Sequence, residues 1–139
     1  MFDRAITAIQ EVYTPLSPAC IESIREAAQL ITWERNRQLV REGQYSDQLY
    51  FLISGAVKAY YLKDGRKVTE WFAFENDFIC ALACFYYQKP SEHYIETLEE
   101  TSLLSFSRME VQRLCDQFHD FERLGHLVLE FVNTRICNQ

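Results

Sequence analysis

Apolar spacing divides this chain into three stretches. In residues 1–32, Ile6, Ile9 and Val12 recur at helical spacing, Pro15 interrupts, and Ile21, Ile24, Ala28 and Ile31 continue an apolar stripe. Ser17 followed by Pro18 reads as an N-cap with proline at the first helical position. Two short helices over residues 1–31 are therefore predicted. From 32 to 107 the pattern changes to short β runs separated by turn signals at Arg41-Glu42-Gly43, Ser54-Gly55, Asp64-Gly65 and Glu75-Asn76-Asp77. The expectation is an antiparallel sandwich or jelly roll. Asp64-Gly65 suits a type I′ turn, so residues 57–62 and 68–72 should pair as a hairpin. Beyond Ser107 the helical period returns: Met109, Val111, Leu114 and Cys115 mark a short helix, and a longer one is predicted over 121–136.

That last helix carries more apolar residues than one face needs. Phe121, Leu124, Leu127, Val128, Leu129, Phe131, Val132 and Ile136 extend around it, and Phe121, Leu124, Val128 and Phe131 have the spacing of a coiled-coil seam. A parallel helix from a second subunit is the expected cover, which makes the chain a homodimer. The alternative is a helix docked wholly on its own barrel.

The fold class expected is mainly β with flanking helices: an antiparallel jelly-roll barrel over 32–107, N-terminal helices, and C-terminal helices over 108–139. A length of 139 residues fits one domain, 1–139. Hydrophobic residues at 48% exclude a disordered chain. No apolar run is long enough to cross a bilayer, and Asp3 and Arg4 break any signal-peptide pattern. We therefore expect a cytoplasmic protein with no membrane partner. Cys20, Cys80, Cys84, Cys115 and Cys137 lack the spacing of a disulfide framework or zinc site and read as reduced, mostly buried thiols. A net charge of −6 gives no electrostatic footprint for nucleic acid.

Residues 39–58 read Leu-Val-Arg-Glu-Gly-Gln-Tyr-Ser-Asp-Gln-Leu-Tyr-Phe-Leu-Ile-Ser-Gly-Ala-Val-Lys. Glu42-Gly43, Asp47, Tyr50-Phe51-Leu52 and Gly55-Ala56-Val57-Lys58, set between helices and followed by a long apolar helix, resemble the cyclic-nucleotide-binding domain of the Crp/Fnr transcription regulators. These elements are structural: Gly43 and Gly55 permit positive φ, and the apolar residues fill the barrel. They specify a fold, not a ligand.

In that family the ligand is held by a later cassette. A Gly-Glu pair opens a short helix and takes the ribose hydroxyl, and an Arg followed by Ser or Thr clamps the cyclic phosphate. A buried phosphodiester needs such a guanidinium fork together with backbone amides. Here the segment starts well, at Asp77-Phe78-Ile79, and then departs. Cys80-Ala81 stand in place of Gly-Glu, and Ser91-Glu92 in place of Arg-Ser. Alignment register does not matter to this conclusion, because no arginine lies between Arg66 and Arg108 and no acid between Asp77 and Glu92. Glu70, Glu75, Asp77, Glu92, Glu96, Glu99 and Glu100 face one base, Lys89, in this region. Like charge beside a phosphate in a poorly hydrated pocket opposes binding. Tight binding of cyclic AMP or cyclic GMP is therefore not expected; Lys89 or protonated His93 is the remaining route to it.

The resemblance places Ala59, Glu70, Ala81, Leu82, Ser91, Glu92, Val132 and Ile136 around the family's ligand. Such a cavity would be apolar with a carboxylate. It suits a neutral or cationic effector, or is filled by its own aromatic residues such as Phe85, Tyr86 and Tyr87. Jelly rolls also serve as metal-dependent enzymes, but His93, His119 and His126 are scattered, and no nucleophile with an adjacent base can be assembled. We assign no catalytic residue, no metal and no cofactor. Cys80 and Cys84 would share a helical face, with packing as their expected role. Regulators of the family carry a DNA-binding domain after the long helix, so contact with DNA is expected only through a domain absent from this chain. The two functional readings are a regulator's sensor and dimerisation domain, and a stand-alone structural or protein-interaction module without ligand.

Overall fold

The run Gln-Leu-Tyr-Phe-Leu-Ile-Ser at 48–54 has no polar alternation, and the reason is that both of its faces are buried. In the computed structural model, which describes residues 1–137 and the side chains of all but 82–83 and 132–137, these residues form β3 at the centre of the molecule. The elements run α1 (Phe2–Val12), α2 (Pro18–Ala27), β1 (Gln29–Trp33), β2 (Gln38–Val40), β3 (Gln48–Ser54), β4 (Val57–Lys63), β5 (Arg66–Ala73), β6 (Phe78–Cys80), α3 (Leu82–Tyr87), β7 (Tyr94–Thr97), β8 (Thr101–Ser107), α4 (Arg108–Gln117) and α5 (His119–Cys137).

Two four-stranded antiparallel sheets face each other, ordered β1-β8-β3-β6 and β2-β7-β4-β5. Tyr50 and Leu52 of β3 point between the sheets with Val57, Ala59, Ile79, Ile95 and Leu103. Leu49, Phe51 and Ile53 point the other way, into a second core with Leu104 and Phe106 of β8 and with the helices. Side chains on a strand alternate between faces, so one strand serves both cores. Each large side chain taken out of water there contributes about 1.5–3 kcal/mol.

The predicted hairpin is present: Lys63 pairs with Arg66, and Asp64 and Gly65 take φ of 53° and 77°, both positive as a type I′ turn demands. Ser17 caps α2, its hydroxyl accepting from the Cys20 N–H at 3.3 Å. Gly55 has φ of 100°, and a Cβ there would lie 2.7 Å from the Thr101 Cα and 2.8 Å from the Glu100 carbonyl oxygen. Only glycine fits this turn.

Two expectations need correction. The second helix ends at Ala27 and a strand begins at Gln29, so Ile31 belongs to β1, paired with Leu103, and not to a helical stripe. The seam on α5 is the other. Phe121, Leu124 and Val128 do not await a partner; they are buried in the chain's own second core, while Phe131 is half-exposed with its ring edge-on to Tyr13 at 6.3 Å. Helical spacing identifies an apolar face without saying what covers it. The apolar residues at the side of this face are the half-buried Leu127 and Leu129.

Candidate functional site: the degenerate cassette

β6, α3 and the loop to β7 carry the residues that the resemblance assigns to the phosphate cassette. Of Cys80 and Ala81, which stand for Gly-Glu, the first is buried in the helix-side core and the second between the sheets, and the Ala81 carbonyl accepts from the Phe85 N–H at 2.9 Å to start α3. Burial, and after it the neighbouring Cys84, push the Cys80 thiol up to about 12. It is a neutral packing group at physiological pH.

Ser91 is also buried, and its polar atoms are already engaged. Its hydroxyl donates to the His93 carbonyl at 2.7 Å and accepts from the His93 N–H at 3.1 Å. Its backbone N–H donates to the Gln44 carbonyl at 2.8 Å, and its carbonyl accepts from the Gly43 N–H at 2.8 Å. The Cys84 thiol donates to the same Gln44 carbonyl at 3.4 Å. The Gly43-Gln44 turn is thereby tied to both ends of the cassette. Gln44 carries no signal in the sequence, because its contribution is a backbone oxygen.

Glu92 is exposed. Glu70, on β5, pairs through its carboxylate with His93 Nε2, and the Tyr61 ring lies edge-on to the imidazole at 6.2 Å. His93, considered as a phosphate donor, is thus already matched to a carboxylate. Ala59 is fully buried between the sheets, opposite Trp71 on β5 and Ile95 on β7. Leu82, Val132 and Ile136 lie outside the described side chains.

The structure therefore brings Glu70, Ser91 and His93 together, keeps Ala59 and Ala81 in the core, and leaves Glu92 outside. It does not support the aromatic filling of the barrel named in the sequence reading. Phe85 packs into the helix-side core, while Tyr86 and Tyr87 are 39% and 69% exposed. The inter-sheet core holds Ala59, Ala81 and Cys84, with Trp71 packed against it. Among the described residues no group of three His, Cys, Asp or Glu side chains is gathered where a metal ion would fit.

Comparison with known proteins agrees with this geometry. No curated protein matches the sequence. Among solved structures, a cyclic nucleotide-binding domain from Methylobacillus flagellatus superposes with a TM-score of 0.82 at 15% identity, covering 99% of this chain and 79% of its own. The sensor domain of the transcriptional regulator DNR from Pseudomonas aeruginosa gives 0.70 at 22%, over 93% of this chain and 83% of its own. The catabolite activator protein of Thermus thermophilus gives 0.74 at 14%, over 94% of this chain, which spans only 59% of that protein's length. At these identities the likeness is one of fold. The sequence family model described as the cyclic nucleotide-binding domain matches residues 30–118, well over half of the chain, and the chain belongs to that family.

Proposed function

We propose that the chain is the sensor and dimerisation unit of a Crp/Fnr-type transcription regulator, non-enzymatic and cytoplasmic, whose cassette does not take cyclic AMP or cyclic GMP as its relatives' cassettes do. The observation that carries this is Ser91. At the position of the phosphate-clamping arginine stands a buried serine whose hydroxyl, N–H and carbonyl are all bound within the chain. A phosphate placed there meets no guanidinium and would have to break these bonds, leaving buried groups unpaired. A homodimer forms through the outward side of α5, where Phe131 of the expected seam is joined by Leu127 in place of the buried Phe121, Leu124 and Val128. The mechanism is an equilibrium between two dispositions of α5, shifted by an effector that favours one and passed to a DNA-binding domain.

Two measurements test the reading. At 1 mM, a ligand with a dissociation constant of about 10 μM would stabilise the fold by roughly 2.7 kcal/mol, a thermal shift of several degrees. No shift is expected with cyclic AMP. Sedimentation over a range of concentrations should show a dimer, and Leu127→Ser should weaken it; a monomer throughout removes the dimer. The internal bonding of Ser91 also favours a second reading, a ligand-free interaction module, which predicts no effector at any site.

A further inference from the structure

α4 and α5 enclose a cleft of about 290 Å³ whose third wall is α3. Its lining follows from helical spacing. Arg108, Val111 and Cys115 form a stripe on α4, while Glu122, Gly125 and Leu129 form one on α5. Phe85 closes the cleft from α3. Val111, Leu129 and Phe85 make it apolar, with Gln112 and His126 among its polar lining. This is the composition of a small-molecule site, with a volume just below the usual ~300–1,000 Å³.

Two features argue that the cleft is more than a packing gap. The first is Gly125, in the interior of α5, where glycine costs helix stability relative to alanine. No neighbour requires it: an added Cβ would come no closer than 3.9 Å to the Cys115 Sγ, ordinary van der Waals contact. What the absent side chain preserves is open space in the cleft. The second is Arg108. Its Nε donates to the Phe85 carbonyl at 3.1 Å, and the Gln88 amide oxygen, turned to suit, accepts from Nη1 at 3.2 Å and from Nη2 at 2.5 Å, leaving one N–H on each terminal nitrogen for a ligand. The fork is thus held at the start of α4. Cys115 lies seven residues away, about 10 Å along the helix at 1.5 Å per residue. Burial, and after it the Glu122 carboxylate that shares the lining, push the Cys115 thiol up. The cleft therefore has a cation at one end, an apolar middle with a glycine floor, and a carboxylate at the other end.

We infer that this α3–α4–α5 cleft binds a flat, apolar monocarboxylate, its carboxylate on Arg108 and its ring or chain over Gly125. Glu122 excludes a second negative charge at the far end. A ligand there touches α3, at the cassette, and α5, the element proposed to signal, so its occupancy biases their relative disposition. That consequence rests on the sensor reading above, but the site itself stands on its own geometry.

The test uses the whole chain with 2-naphthoate as probe, reading iodoacetamide modification of Cys115 by peptide mass spectrometry. Cys115 is half-buried in the cleft wall, whereas Cys20, Cys80 and Cys84 are buried. Naphthoate should slow Cys115 modification at least fivefold with a saturable dependence. Neutral 2-naphthamide and naphthalene-2,6-dicarboxylate should each require at least tenfold higher concentration. Arg108→Gln should weaken protection tenfold or more while Arg108→Lys retains most of it, and Gly125→Leu should abolish naphthoate dependence. Should Gly125→Leu fail to fold, the probe series and the Arg108 pair still decide. Absent protection up to millimolar naphthoate, equal potency of the amide, or an unaffected Arg108→Gln overturns the proposal. Cyclic AMP binding in a parallel titration would contradict the cassette reading while leaving this site standing.

Discussion

Gly55 and Gly65 both take positive φ, yet the chain needs them for different reasons. At Gly65 nothing lies within 4 Å of an added Cβ, so alanine meets only backbone strain. At Gly55 the same strain is joined by collision with the backbone of Glu100 and Thr101. Gly65→Ala should cost about 1 kcal/mol and Gly55→Ala about 3 kcal/mol or more, measured by urea unfolding. Equal costs would mean that the β3–β4 turn does not press on the turn before β8. A second residue reports on pH. Partial burial disfavours the charge on Asp120, but the hydrogen bonds it accepts, led by the Ser17 N–H at 2.7 Å from Oδ2 and including the Phe121 N–H, together outweigh that and hold the carboxyl below its ordinary range. A depressed carboxyl stabilises the fold above its unfolded pKa of about 3.9 and loses that contribution as pH falls through the folded value. Asp120→Ala should therefore be less stable than wild type by about 1 kcal/mol at pH 7. Urea unfolding should show the two converging below about pH 4, since protonation removes the difference; a gap unchanged at pH 3 would count against the Ser17 contact.

Among the elements, the β4–β5 hairpin and the start of α2 were legible because single residues force them: Asp64-Gly65 demands a primed turn, and Ser17-Pro18 supplies a cap and a fixed φ. The start of β1 was not. Ala27-Ala28-Gln29-Leu30-Ile31 contains no breaker, and Ile31 continues the helical period, so only pairing with β8 settles its state. The face of α5 was misread for a related reason, since an apolar stripe looks the same whether its cover is the same chain or another. Leu124→Ala tests the correction. As a core truncation it should cost about 3 kcal/mol in unfolding free energy, independent of protein concentration. A cost that appears only at low concentration would restore Leu124 to a dimer seam.

At the scale of the whole molecule, one central strand feeds two cores, and the chain divides its tasks accordingly. The inter-sheet core holds Ala59 and Ala81 beside the altered cassette, while the helix-side core carries α5 and, next to it, the cleft over Gly125. The loss of the arginine and glutamate was visible in the sequence as missing charges between Asp77 and Glu92. What stands there instead was not, because Gln44 acts through its carbonyl, and Ser91 and Cys84 bind backbone atoms that no side-chain pattern announces. The chain keeps the barrel of its family, and the proposal that its cyclic-nucleotide site is closed can be measured. Isothermal titration calorimetry of the chain with cyclic AMP tests it most directly. No saturable heat is expected up to millimolar nucleotide, and a micromolar dissociation constant at one site per chain would contradict the account.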